Sequence, residues 1–163
     1  MKIIPKNSEE LTIMRQAGKI LQMAQQHMKQ ALQPGISLLE LDQIAEDTIR
    51  AQGALPGFKG YHGFPNTICT MVNSEIVHGI PDRRTLKSGD LVSIDCGVVL
   101  EKLNADAAFT VIVGGDKTHP KRAAFSACVY EALQAGIAQA KAGNWLNDIG
   151  TAIEKVITKG GYN

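Results

Sequence analysis

Apolar residues at helical spacing predict two amphipathic helices at the start of the chain. The first follows a capping box over Asn7–Glu10 and ends before Pro34, where the Pro-Gly pair stops it. The second follows a capping box over Ser37–Glu40 and ends near Gly53. Their predicted core residues are Leu11, Met14, Leu21, Ala24, Met28 and Ala31, then Leu38, Leu41, Ile44, Ala45 and Ile49.

The pattern then changes to a loop and a set of strands. Residues 53–65 are rich in Gly and Pro with aromatic residues between them, which is typical of a long ordered loop. Runs rich in Val, Ile and Thr predict strands at 66–72, 91–99 and 105–113, and helical spacing returns at 119–142 and 147–159. Because helices precede and follow the strands without βαβ alternation, the sequence predicts an α+β fold with an antiparallel sheet.

Composition places few limits on function. The 163 residues are 44% hydrophobic and 20% charged with a net charge of +1, as expected for one globular domain with a real core. This balance gives no reason to propose DNA or a membrane surface as a partner. The polar N-terminus lacks a signal peptide, and Cys69, Cys96 and Cys128 form no CxxC pair, so a cytoplasmic location is expected.

Two aspartates on successive strands are the first candidate site. Asp95 and Asp106 each lie on the smaller, more polar face of their strand. If the hairpin turns at Leu100-Glu101, the two carboxylates stand directly opposite, with Cβ atoms about 4.5–5.5 Å apart. Like charges that close are destabilising unless neutralised, and a pair of divalent ions would neutralise them. Alternatively, both face solvent on an ordinary hairpin, which spacing alone favours because short motifs match often by chance.

Several blocks of sequence resemble the methionine aminopeptidase family. These are GYHGFPNTICTMVNSEIVHGIP at 60–81, LKSGDLVSIDCGVV at 86–99, DAAFT at 106–110 and EELTIMRQAGKIL at 9–21. They match in order and spacing, and the resemblance covers essentially the whole chain. It implies the pita-bread α+β fold, of which residues 1–163 would supply the N-terminal half and the helices that begin the second half.

The resemblance also implies roles for individual residues. A methionine side chain gains from aromatic edges and a soft thiol, and a histidine can donate a hydrogen bond to a scissile carbonyl or a developing oxyanion. Two divalent metal ions (Co, Mn, Fe or Zn) would generate hydroxide near neutral pH and hold the free amino terminus. The implied residues are Asp95 and Asp106 for metal, His78 for catalysis and substrate contact, and Tyr61, Phe64 and Cys69 for the methionine pocket, with His62 at its rim.

Each of these residues also has a structural explanation. A lone His after a strand is usually a hydrogen-bonded turn residue, and Tyr61 and Phe64 would serve equally to cover a core under the loop. Cys69 would be a small buried hydrophobe, which is the role we expect for Cys96 and Cys128. The residues alone leave both explanations open.

Some features depart from the family pattern. Glu101-Lys102 stand where Asp-Gly is frequent, and Asn104-Ala105 where His-Gly is frequent. After a helix like 147–159 the family continues to a metal-binding His and two metal-binding Glu, and this sequence contains none of the three. We therefore expect residues 1–163 to be a truncated catalytic domain that is inactive alone.

The expected activity of the complete protein is removal of the initiator methionine from nascent polypeptides. Its partner would be a peptide or nascent-chain N-terminus that starts with Met, encountered near the ribosome, and the complete enzyme would be a monomer. Two alternatives remain: a related Xaa-Pro-type aminopeptidase of the same fold, and a non-catalytic fragment that binds peptides or partners.

Overall fold

The structure is a computed structural model that describes residues 4–163, and the chain divides into two compact units at Gly115. The first unit holds α1 (Ser8–Ala31), α2 (Leu38–Ala51), β1 (Leu55–Pro56), a 3₁₀ turn (Tyr61–Gly63), β2 (Ile68–Val72), β3 (Leu91–Leu100) and β4 (Leu103–Ile112). The second unit holds a 3₁₀ turn (Asp116–Thr118), α3 (Pro120–Gln139) and α4 (Leu146–Lys159). Within the described residues, no helix has the length and apolar character needed to cross a membrane.

Both predicted capping boxes are confirmed. The Asn7 side chain accepts from the Glu10 N–H at 2.9 Å, and the Glu10 carboxylate accepts from the Asn7 N–H at 2.8 Å. Ser37 and Glu40 make the same pair at 3.2 and 2.8 Å. The predicted core face of α1 is partly wrong, because Leu11 is 40% exposed while Ala17 is fully buried.

The sheet is antiparallel, as the predicted α+β class requires, and β3 is its central strand. β3 pairs with β4 along its whole length, and with β1 and β2 on its other side. Its core-facing side chains pack with α1 and α2 and are fully buried: Val92, Ile94, Cys96 and Val98. Burial of each valine or isoleucine of this kind contributes about 1.5–3 kcal/mol, which fixes the side of the sheet that the helices cover. The two-residue strand β1 lies in the segment that the sequence predicted as loop.

The register of the β3–β4 hairpin corrects one prediction. The turn is at Glu101-Lys102, both with positive φ (48° and 69°), so Leu100 pairs with Leu103. Asp95 therefore stands opposite Ala108, and Asp106 stands opposite Gly97. The direct Asp–Asp opposition that we predicted is wrong by two residues. Because side chains alternate with a period of two, this shift leaves both aspartates on the same face, as diagonal neighbours.

In the second unit, α3 and α4 pack against each other through a small residue. Gly136 of α3 is buried, and a Cβ there would come within 2.9 Å of the Ile153 side chain of α4. Cys128 lies against the same helix, with its thiol 3.8 Å from the Val156 carbonyl. The two helices predicted at 119–142 and 147–159 are confirmed. Their observed ends differ from the predicted ends by up to three residues.

Candidate active site

The sheet face that α1 and α2 leave uncovered carries a cavity of about 520 Å³ in the first unit. All seven site residues that the sequence implied line it: Tyr61, His62, Phe64, Cys69, His78, Asp95 and Asp106. Four further lining residues were missed: Phe58, Gly63, Pro65 and Ile80. A signal for them was present, since three belong to the aromatic loop and Ile80 belongs to the HGIP segment. Residues from five separate stretches of sequence therefore meet at one place.

Asp95 and Asp106 form the polar end of the cavity. Burial, the negative charge of Asp95 and a hydrogen bond between the two carboxyl groups raise the pKa of Asp106. Two neighbouring carboxyl groups, one of which has a raised pKa, repel each other when both are ionised. Such a pair suits a divalent cation, which removes the repulsion. Across residues 4–163, however, no group of three or more His, Cys, Asp or Glu side chains is placed to hold a metal ion. The two aspartates fit a metal site but supply only part of one.

The raised pKa of Asp106 predicts that the metal-free chain gains stability when this charge is removed. A carboxyl group whose pKa is higher in the folded state than its unfolded value of about 3.9 destabilises the fold as pH rises through that interval. Asp106→Asn should therefore raise Tm at pH 7 by roughly 1–3 °C, a small shift because the group is largely exposed to solvent screening.

The measurement is thermal unfolding in the presence of a chelator at pH 7 and at pH 3. Near pH 3 both forms are neutral, so the difference should vanish. Asp116→Asn removes an exposed charge in the second unit and should leave Tm unchanged. A lower Tm for Asp106→Asn at pH 7 would contradict the proposed repulsion.

Cys69 forms the floor of the cavity. It pairs with Asp95 across β2 and β3, so the two side chains share a face, and it is 5% exposed. Burial, followed by the charges of Asp95 and Asp106, raises the pKa of this thiol to about 11. The thiol therefore stays protonated at neutral pH and presents a polarizable, nearly apolar surface. Cys96 lies on the opposite face in the core, where burial raises its pKa to about 12.

Two glycines bring the aromatic loop onto the sheet. The Gly57 N–H donates to the Gly97 carbonyl at 2.8 Å, and a Cβ at Gly57 would come within 2.9 Å of the Gly97 backbone. The Phe58 ring lies over Gly97, where a Cβ would come within 2.8 Å of it. Because Gly97 is opposite Asp106 in the register, this packing sets the aromatic wall beside the carboxylates.

The middle of the aromatic loop is a tight turn. The Gly60 N–H donates to the Phe64 carbonyl at 2.8 Å, and Tyr61 and His62 contact edge to face with ring centroids 4.3 Å apart. His62 has a positive φ of 46°, a conformation that is uncommon outside glycine and asparagine. Such backbone strain clusters at functional sites, which agrees with the position of His62 at the cavity.

His78 is held in place through its neighbour Gly79. The Thr70 N–H donates to the Gly79 carbonyl at 2.9 Å, and a Cβ at Gly79 would lie 2.1 Å from the Thr70 carbonyl oxygen. Only glycine allows the two backbones to come this close. The contact fixes His78 next to β2 and the cavity floor. His78 is exposed and has a positive φ of 55°, so its imidazole is presented on a strained backbone.

The sequence is similar to a known class of metallopeptidases. The pattern that defines Metallopeptidase family M24 matches residues 12–163, and the chain belongs to this family. The predicted resemblance to methionine aminopeptidases is confirmed by a relative, Methionine aminopeptidase 1 of Bacillus subtilis. It is 45% identical over 155 residues, which are 95% of this chain and 62% of that protein.

Solved structures confirm the pita-bread fold. The crystal structure of methionine aminopeptidase from Rickettsia prowazekii matches with a TM-score of 0.90 and 32% identity over 97% of this chain and 63% of that one. An Xaa-Pro dipeptidase from Bacillus anthracis matches with a TM-score of 0.82 and 25% identity over 96% and 42%. The chain thus spans less than two thirds of the length of each of these three relatives.

Proposed function

We propose that this chain supplies the substrate pocket and two of the metal ligands of a methionine aminopeptidase, which removes the initiator methionine from new polypeptides. The observation that carries this proposal is the convergence of all seven implied residues on one cavity. We infer as well that residues 1–163 are the N-terminal part of a catalytic domain, which is supported by the span of 62% of the Bacillus subtilis relative. The family resemblance places a further His and two Glu after a helix equivalent to α4.

The proposed roles follow from the position of each side chain. Asp95 and Asp106 would hold two divalent ions, such as Co, Mn, Fe or Zn, and bound ions of this kind supply hydroxide near neutral pH. His78 donates a hydrogen bond to the scissile carbonyl, a bond that strengthens as negative charge develops on the oxygen. Tyr61, Phe64 and Cys69 enclose the methionine side chain.

The character of the cavity supports methionine over the alternatives. Its walls combine aromatic edges with a protonated thiol, and sulfur–aromatic contacts contribute about 0.3–1.5 kcal/mol to binding a thioether. The shared fold favours the Xaa-Pro alternative as well. Cleavage of a peptide bond that precedes proline is the test that distinguishes it. The non-catalytic alternative is supported by the shortage of ligands among the described residues. The substrate we propose is a peptide with a free N-terminal methionine, presented by a nascent chain near the ribosome to a monomeric enzyme.

We expect the 163-residue chain to show little or no aminopeptidase activity, because two carboxylates cannot complete a two-metal site. Joining it to the part of the Bacillus subtilis relative that it does not span gives a chimera with the further ligands. This chimera should cleave Met-Ala-Ser with added Mn²⁺ or Co²⁺ at about 1–10³ s⁻¹.

The assay compares both proteins on Met-Ala-Ser and on a peptide with proline in second position. Turnover by the 163-residue chain in that same range would contradict the expectation of inactivity. A chimera that cleaves only the proline peptide would establish the Xaa-Pro alternative, and a folded chimera that binds without cleaving would establish the non-catalytic one.

A further inference from the structure

Asp42 of α2 binds the junction between β2 and the segment that walls the cavity, which we call the pocket loop (residues 57–66). Its Oδ1 accepts from the backbone N–H groups of Thr67 at 2.8 Å and Ile68 at 3.0 Å. Its Oδ2 accepts from the Asn66 side-chain amide at 2.7 Å. Asp42 is only 6% exposed and Thr67 is fully buried, so these charge-assisted bonds lie away from water, where they are strongest.

Glu46, one helical turn later, binds the beginning of the same loop. One carboxylate oxygen accepts from Lys59 Nζ at 2.6 Å and contacts Thr67 Oγ1 at 3.4 Å, while the other accepts from Arg50 at 2.8 Å. The hydrogen bond from Lys59 lowers the pKa of Glu46. Because Lys59 is 40% exposed, this ion pair contributes less than the buried contacts of Asp42.

We propose that Asp42 is a positioning residue that sets the width of the pocket. Asn66 directly follows the wall residue Pro65, and Ile68 directly precedes the floor residue Cys69. One buried carboxylate thus anchors to α2 the short segment that joins wall and floor, although it does not itself line the cavity. This inference rests on the proposed function only in that the pocket accepts a methionine side chain.

Hydrogen exchange of the 163-residue chain tests the positioning role without any substrate or metal. Asp42→Asn keeps the shape of the side chain but removes its charge, and Asp47→Asn is the matched control on the same helix. Asp47 is exposed, and its carboxylate accepts a hydrogen bond from the Gln43 side chain at 2.8 Å. We expect exchange of the pocket loop to accelerate about tenfold in Asp42→Asn, with α1 unchanged and the control unchanged.

Two exchange results would overturn the proposal. Equal acceleration in α1 and the pocket loop would show a purely global loss of stability, and an unchanged pocket loop would show that Asp42 holds nothing there. If Asp42→Asn does not fold, Asn66→Ala decides instead. It removes one of the three bonds and should give a smaller, equally local acceleration.

Kinetics of the chimera separate positioning from catalysis. Loosening the pocket loop adds an ordering cost to substrate binding, so Asp42→Asn should raise KM for Met-Ala-Ser about tenfold with kcat within about twofold of the parent. A fall in kcat at constant KM would overturn the proposal. So would an unchanged KM in a variant whose pocket loop exchanges faster. If the parent chimera is inactive, the proposed function fails while the exchange result still stands.

Discussion

Asp95→Ala and Asp106→Ala should each abolish hydrolysis of Met-Ala-Ser by the chimera. The two carboxylates are diagonal neighbours at the polar end of the cavity, and a methyl group cannot replace a carboxylate as a ligand of a divalent ion. Loss of metal-supplied nucleophile and charge stabilisation removes several kcal/mol from the transition state, so kcat/KM should fall about 10³-fold or more. Metal content, measured on the same samples, should fall together with the rate.

Cys128→Ala is the control for this pair. Cys128 packs in the second unit against α4, with its thiol 3.8 Å from the Val156 carbonyl, and it has no place in the cavity. Its removal should leave kcat/KM and metal content unchanged. Full activity in either aspartate variant would refute the metal assignment. Loss of activity with full metal content would move that aspartate from a ligand to another catalytic role.

His78→Ala should lower kcat of the chimera by about 10²–10³ while metal content stays intact, as expected for loss of one oxyanion donor. The imidazole stands on a backbone with φ of 55° beside the cavity floor, where a bound peptide's carbonyl would lie in our proposal. Because alanine tolerates positive φ poorly, His78→Asn should be measured as well, since asparagine accepts this conformation at lower cost. Both variants should lose rate to a similar extent.

His62→Ala is the matched comparison for His78. His62 is also a histidine with positive φ that lines the cavity. In our proposal it lies at the rim of the methionine pocket, so its loss should act mainly on KM. If His78 were a metal ligand, metal content would fall with the rate. If it were only a turn residue, kcat would hardly change and stability would fall by about 1 kcal/mol. Metal stoichiometry, kcat and Tm on the same variants distinguish these outcomes.

The sequence predicted the helices and strands well because their signals are local. Capping boxes at Asn7 and Ser37 and the alternation of β3 depend on residues a few positions apart. The register of the hairpin was missed because alternation has a period of two and cannot distinguish registers that differ by two residues. Glu101 and Lys102 carry no recognisable turn signature, although both adopt positive φ.

The candidate site was predicted through family resemblance, because the periodicity of five separate stretches does not reveal where their residues meet. Asp42 shows the remaining gap. No motif in the sequence marks this residue, although its place beside Leu41 on the buried side of the helix was a signal. A charged residue at a core position needs partners, and its partners lie at the end of the pocket loop, 24 to 26 residues further along the chain.

That separation bears on the order in which the first unit folds. The β3–β4 hairpin is closed by a two-residue turn, and hairpins of this kind form within about 1–10 μs. The bonds of Asp42 to Thr67 and Ile68 instead join residues 25 and 26 positions apart, and we expect them to become strong only when α2 packs on the sheet and excludes water. The pocket loop is therefore expected to reach its final shape late.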